Sequence, residues 1–149
     1  MKKISLLAGA LLACFMQVNA QDFVSTEPQN KNVLIEEFTG RNCGWCPDGH
    51  VIANQICHDN PDRVWAMNIH AGGFSPNTFP NLNTTDGAAI CTGFAVTGFP
   101  AGVVNRSTAT SIDRGQWAAK TNQEMGLAAP CNIGGQAVVN AASRIAMIT

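Results

Sequence analysis

Charge is scarce in this 149-residue chain: Asp, Glu, Lys and Arg make up 13% of it, against roughly 25% in an average soluble protein. Nine Lys plus Arg stand against ten Asp plus Glu, for a net charge of -1. Without a basic surplus, neither nucleic acid nor an anionic lipid surface is expected as a partner. Long apolar runs are lacking too. The longest, Ile4 to Met16, has 13 residues, short of the about 20 that a membrane-spanning helix needs. There is no repeat, no Gly-rich phosphate loop and no Ser/His/Asp pattern. A second Cys-x-x-Cys and a paired-histidine spacing are missing as well, so no zinc site is expected. Six cysteines are too few for a small disulfide-packed scaffold. With 46% hydrophobic residues the chain is an ordinary globular one, and its cysteines need explaining.

The N-terminus reads as an address. Lys2 and Lys3 precede the apolar run, and Val18-Asn19-Ala20 puts small residues before Gln21. That order is the pattern of a secretory signal covering residues 1–20. The alternative is a lipoprotein box at Leu11-Leu12-Ala13-Cys14, with Cys14 as the lipidated residue. Cleavage after Ala20 leaves seven Lys plus Arg, ten Asp plus Glu and a net charge of -3. It also leaves five cysteines, an odd number, in a compartment where disulfides persist. An exported protein is expected, in the periplasm or associated with the outer membrane of a Gram-negative bacterium, with no transmembrane span in its mature chain.

After a polar lead-in at 21–32, Val33 to Phe38 reads as a strand bounded by Thr39-Gly40. Pro47 suits the first turn of a helix, with Val51, Ile52, Ile56 and Cys57 as its apolar face and Asn60-Pro61 as its stop. Arg63 to His70 reads as a second strand, and Ala71 to Asn83 as a long functional or mobile loop. Thr84-Thr85-Asp86 caps a helix through Phe94, and Ala101 to Asn105 forms a third strand. Ser111 or Asp113 then caps a helix through Met125. Two β-type runs, separated by Asn140 to Ser143, make up the tail at 127–149, which either packs on the main domain or begins a second one.

Strand, Cys43-Gly44-Trp45-Cys46, then helix is the order that dithiol redox chemistry needs. A helix N-terminus favours an anion, and the thiolate is the species that attacks a disulfide. Cys43 is the expected nucleophile and Cys46 the resolving thiol. Glu37, six residues upstream, is the expected proton acceptor for Cys46, since a buried carboxyl has a raised pKa. The strand alternates, so only one of Glu36 and Glu37 needs to be buried. Cys57 and Cys91 read as small core residues that are able to bridge, with Cys131 as the odd thiol. Trp45, Phe74, Phe79 and Phe99 are candidates for an apolar collar, whereas Phe38, Trp65 and Phe94 read as core. His50 lies four residues after Cys46 on the same helix face but reads as a surface histidine.

These motifs, with Gly98-Phe99-Pro100 entering a strand, resemble the thioredoxin family over residues 33–126. The resemblance implies an α/β fold with a central mixed sheet flanked by helices, here with a short C-terminal β-type extension. It also implies a cis-proline at Pro100 that faces the dithiol, with Phe99 before it, and Glu37 as the buried acid. The stretches Val33 to Gly40, Cys43 to Gly49 and Thr97 to Ala101 further resemble the outer membrane protein 28-related family of Bacteroidetes-type bacteria. Asn42 before Cys43, and Gly44-Trp45 between the cysteines, depart from thioredoxin itself, so the direction of redox is open. The function expected is thiol-disulfide exchange with protein thiols or disulfides, using only the Cys43–Cys46 pair and an external redox partner, with no other cofactor. The alternative is a non-catalytic surface protein that uses the same scaffold for binding.

Overall fold

The computed structural model describes residues 24–148, so the signal reading at 1–20 and the alternative at Cys14 lie outside the described residues. The described residues divide into two compact units, one spanning 28–129 and the other containing 24–27 and 130–148.

The larger unit is mixed α/β. Strand β1 (Val33–Thr39) leads into helix α1 (Cys46–Asp59), then strand β2 (Val64–His70) and helix α2 (Thr85–Gly93). Strands β3 (Ala101–Val104) and β4 (Ile112–Asp113) follow, then a 3-10 turn (Arg114–Gln116) and helix α3 (Trp117–Met125). The sheet order is β2-β1-β3-β4. β1 runs parallel to β2 and antiparallel to β3, and β3 runs antiparallel to β4. The sheet is therefore mixed, with β1 inside it.

Alternation along β1 divides the core between the two faces of the sheet. Val33 and Ile35 pack with Ala53 and Ile56 of α1, Val64, Val104, and Trp117 of α3. Phe38 packs on the other side with Ile69, Ala71, Val103, and Cys91 of α2. Local chemistry sets the helix ends. The Thr84 hydroxyl accepts from the Gly87 N–H at 2.9 Å to start α2. Of the two caps expected for α3, Asp113 caps the 3-10 turn that leads into it, and α3 itself, with Gln116 at its N-cap, starts without a side-chain cap. The Asp113 carboxylate accepts from the Gly115 N–H at 2.8 Å, and the Gln116 side chain reaches back to the Asp113 backbone.

Four expectations need correction. Of the expected α1 face, Ile56 is buried and Ile52 and Cys57 pack against the core, but Val51 is exposed, and Cys46, Gly49 and Ala53 complete the buried face. Small residues at 49 and 53 let the helix lie close on the sheet, which outweighs the larger apolar side chains. Trp65 is half exposed rather than core. α2 covers only part of its face of the sheet, and the residue opposite Trp65 in the register, Leu34, is exposed as well. Cys57 and Cys91 are free thiols, and they pack into the cores on opposite faces of the sheet, so no bridge joins them. Glu36 and Glu37 are both buried, at 1% and 0% exposure.

The second unit contains a hairpin of β5 (Ala137–Asn140) and β6 (Ile145–Ile148), paired antiparallel from Ala137↔Ile148 to Asn140↔Ile145. All eight strand residues are exposed. No helix among the described residues is long and apolar enough to cross a membrane.

Candidate functional site

Cys43 and Cys46 are joined as a disulfide, with their Cα atoms 5.4 Å apart. The helix starts at Cys46, so Cys43 stands three residues before it, in the turn closed by its own N–H donating to the Gly40 carbonyl at 3.0 Å. Pro47 sits in the first turn, as expected, with the acidic Asp48 beside it. Of the two sulfur-bearing residues Cys43 is the more open, at 8% exposure against 1% for Cys46.

Glu37 comes to the same place from β1. It faces α1, where a Cβ on Gly49 would stand 2.6 Å from Glu37 Oε1 and 2.8 Å from Pro100 Cβ. Glycine at 49 is thus a condition of the site, since the carboxyl and the proline both occupy the space a side chain would take. Gly49 lies three residues after Cys46 on the buried face, so carboxyl, Pro100 and dithiol helix converge there. The Phe99–Pro100 peptide is cis, and Pro100 is buried.

His50 is the residue that sequence reasoning placed at the surface. Its ring is about two-thirds buried, with Nδ1 3.0 Å from Glu37 Oε2 and Nε2 3.4 Å from Thr39 Oγ1. The other carboxyl oxygen, Glu37 Oε1, is buried without a hydrogen-bond partner. Burial pushes the Glu37 pKa up, and the hydrogen bond and charge of His50 pull against it. His70, which pairs with Thr39 across the strands, is held below its ordinary value by burial and by the charge of His50. The available signal for His50 was its spacing of four from Cys46; what hid it was that Glu37 lies on a different element. Glu36, on the opposite face, is not part of this group. Arg106 binds both its oxygens, with Nε 2.7 Å from Oε2.

The loop at 71–83 is fastened to the dithiol turn rather than loose. Arg41, two residues before Cys43, donates to the Pro80 carbonyl at 3.0 Å and to the Thr78 hydroxyl at 2.8 Å. The Asn42 N–H donates to the Phe74 carbonyl at 2.9 Å. Asn83 closes the loop from its far end through Ser75 and Asn77. Three of the four collar candidates are exposed: Trp45 at 71%, Phe74 at 48% and Phe79 at 97%. Phe99 is half-buried, edge-on to Phe74 at 6.0 Å between ring centroids. Its ring occupies the space over Gly72, whose φ of +71° suits glycine. Arg114 lies 5.9 Å over the Trp45 ring and is itself paired with Asp48, which orients the indole.

Compared with known proteins, the chain matches no family model and no curated protein. Among solved structures it is similar to HBP35 of Porphyromonas gingivalis, with a TM-score of 0.51 and 20% sequence identity. The likeness is one of fold. It covers 75% of this chain and 37% of that one, so the chain spans well under half of its neighbour's length.

Proposed function

We propose that this is an exported thiol-disulfide oxidoreductase of thioredoxin-like fold that exchanges its Cys43–Cys46 pair with the cysteines of other proteins. The observation that carries this reading is a disulfide-bonded Cys-x-x-Cys at a helix start, with the buried Glu37 carboxyl, its pKa raised by burial, facing the same helix over Gly49. A bridge closing so short a loop adds little stability, so its use is redox. In the reducing direction, the Cys43 thiolate attacks a partner disulfide to form a mixed disulfide and release one partner thiolate. Glu37 takes the proton of Cys46, whose thiolate attacks Cys43 Sγ. The Cys43–Cys46 bond forms, the mixed disulfide breaks, and the electron pair leaves with the second partner sulfur. The partner is reduced and the dithiol oxidised; an external redox partner resets it. Trp45, Phe99 and Pro100 form the face on which an extended substrate chain lies, widened by Phe74 and Phe79. Outer-membrane association would be peripheral.

A second reading, a surface protein that binds through this scaffold, is favoured by the hairpin. Val138, Val139, Ile145, Met147 and Ile148 are all more than half exposed there, which is how a docking surface presents itself. Reduction of insulin disulfides with dithiothreitol as electron donor separates the two. Exchange activity that disappears in Cys43→Ser supports the oxidoreductase, and activity unchanged by that substitution overturns it.

A further inference from the structure

Glu37 is sealed from water at 0% exposure, yet the exchange requires it to take up and discharge a proton in every turnover. Its Oε1 lies in the gap over Gly49, on the side of the dithiol helix, without a partner. Its Oε2 has one neighbour able to carry a proton, the Nδ1 of His50 at 3.0 Å. About a third of the His50 side chain reaches solvent. The ring is thus in contact with both the buried carboxyl and water.

We propose that His50 is a positioning residue for the exchange: it fixes Glu37 by Oε2, leaves Oε1 directed at the dithiol side, and passes the proton between Glu37 and water. The proposal rests on the oxidoreductase reading above. When Cys46 resolves the mixed disulfide, its thiol proton goes to Glu37. Glu37 then yields a proton from Oε2 to His50 Nδ1, Nε2 releases its own proton to water, and exchange through water returns the ring to the Nε2–H tautomer, restoring the carboxylate and an Nδ1 able to accept again. In the opposite redox direction the same path delivers the proton. Imidazole suits the task because one ring nitrogen can take up a proton while the other gives one up.

The groups facing His50 from neighbouring elements are few. Glu37 and Thr39 face it from β1, and the Thr39 hydroxyl orients the ring at Nε2 without titrating. His70 approaches from β2, with its own Nδ1 buried and unpartnered and its protonation opposed by burial and by His50. Cys46 lies one turn back on α1, and Pro100, at the entry to β3, has nothing to titrate. His50 is therefore the member of the group that links the carboxyl to solvent.

The test is the pH profile of exchange in wild type, His50→Gln, His50→Ala and Glu37→Gln, with free imidazole added to each. His50→Gln retains a hydrogen bond to Glu37 but carries no proton. Both His50 variants are expected to lose on the order of 10-fold in rate near neutral pH, less than removal of a general base itself costs. The loss should fade as pH approaches about 8.5, where a thiol ionises unaided. Imidazole should restore His50→Ala and leave Glu37→Gln unchanged. A wild-type profile in His50→Gln, or no rescue of His50→Ala, overturns the relay. Carbon-13 NMR of the Glu37 carboxyl gives a reading independent of activity: its titration should move upward in His50→Ala, and an unmoved titration overturns the pairing. If wild type performs no exchange while that titration does move, the functional reading has failed and the relay falls with it, an outcome distinct from failure of the relay alone.

Discussion

Glu36 and Glu37 are consecutive on β1 and equally hidden from water, but they meet different surroundings. Glu36 faces a guanidinium that binds both its oxygens; Glu37 faces a glycine, a proline and one imidazole nitrogen. Removing Arg106 leaves a buried carboxylate uncompensated. Arg106→Ala should cost about 2 kcal/mol in urea unfolding, below the range for fully buried pairs because half the Arg106 side chain reaches water. For Glu37 the sign runs the other way. Its pKa is raised from 4.5, chiefly by burial, so the folded chain holds the proton more tightly than the unfolded chain does. The stability tied to that proton is complete below about pH 4.5 and is lost as pH rises through the raised value. Glu37→Gln should therefore melt higher relative to wild type at about pH 8 than at about pH 4, while slowing exchange on the order of 100-fold. A melting difference that does not change with pH would contradict this description of Glu37.

At the scale of elements, the site depends on how closely α1 approaches the sheet. Gly49→Ala inserts a methyl into space held by Glu37 Oε1 and Pro100. Overpacking of this kind costs roughly 1–3 kcal/mol, and it should also lower the exchange rate, because the carboxyl and the proline are what must move. Thermal unfolding and insulin reduction measured on one preparation check both parts. The strands β1 to β3, the three helices and the dithiol were legible in the chain because each has a local cause: a β-type run, a cap, or Pro47 in a first turn. β4 was not, since two residues are too short for any period. On α1, Ile52, Ile56 and Cys57 were read correctly, but Gly49 and Ala53 were passed over and Val51 wrongly included, because large apolar residues were weighted over small ones where closeness decides. Pinning of the 71–83 loop was illegible for another reason: Arg41 and Thr78 are 37 residues apart, and no local pattern records that contact. The His50–Glu37 pair is of the same kind.

Over the whole molecule, the hairpin belongs to a different compact unit from the dithiol, and none of its strand residues is buried. A chain ending at Ala129 should keep the unfolding midpoint and exchange rate of the longer one within error. A marked loss of either would show that 130–149 supports the site. The low charge noted in the composition also takes on a location. Arg41 is engaged by the loop and Arg114 by Asp48, while Trp45, Phe74 and Phe79 stand exposed nearby in the chain.

Redox equilibrium of the Cys43–Cys46 pair against a series of glutathione buffers, followed by thiol alkylation and mass measurement, addresses the function most directly. Reversible two-electron titration within the range of known dithiol proteins, roughly -120 to -270 mV, is the expected result. A pair that stays oxidised in every buffer would mark the disulfide as purely structural and contradict the assignment.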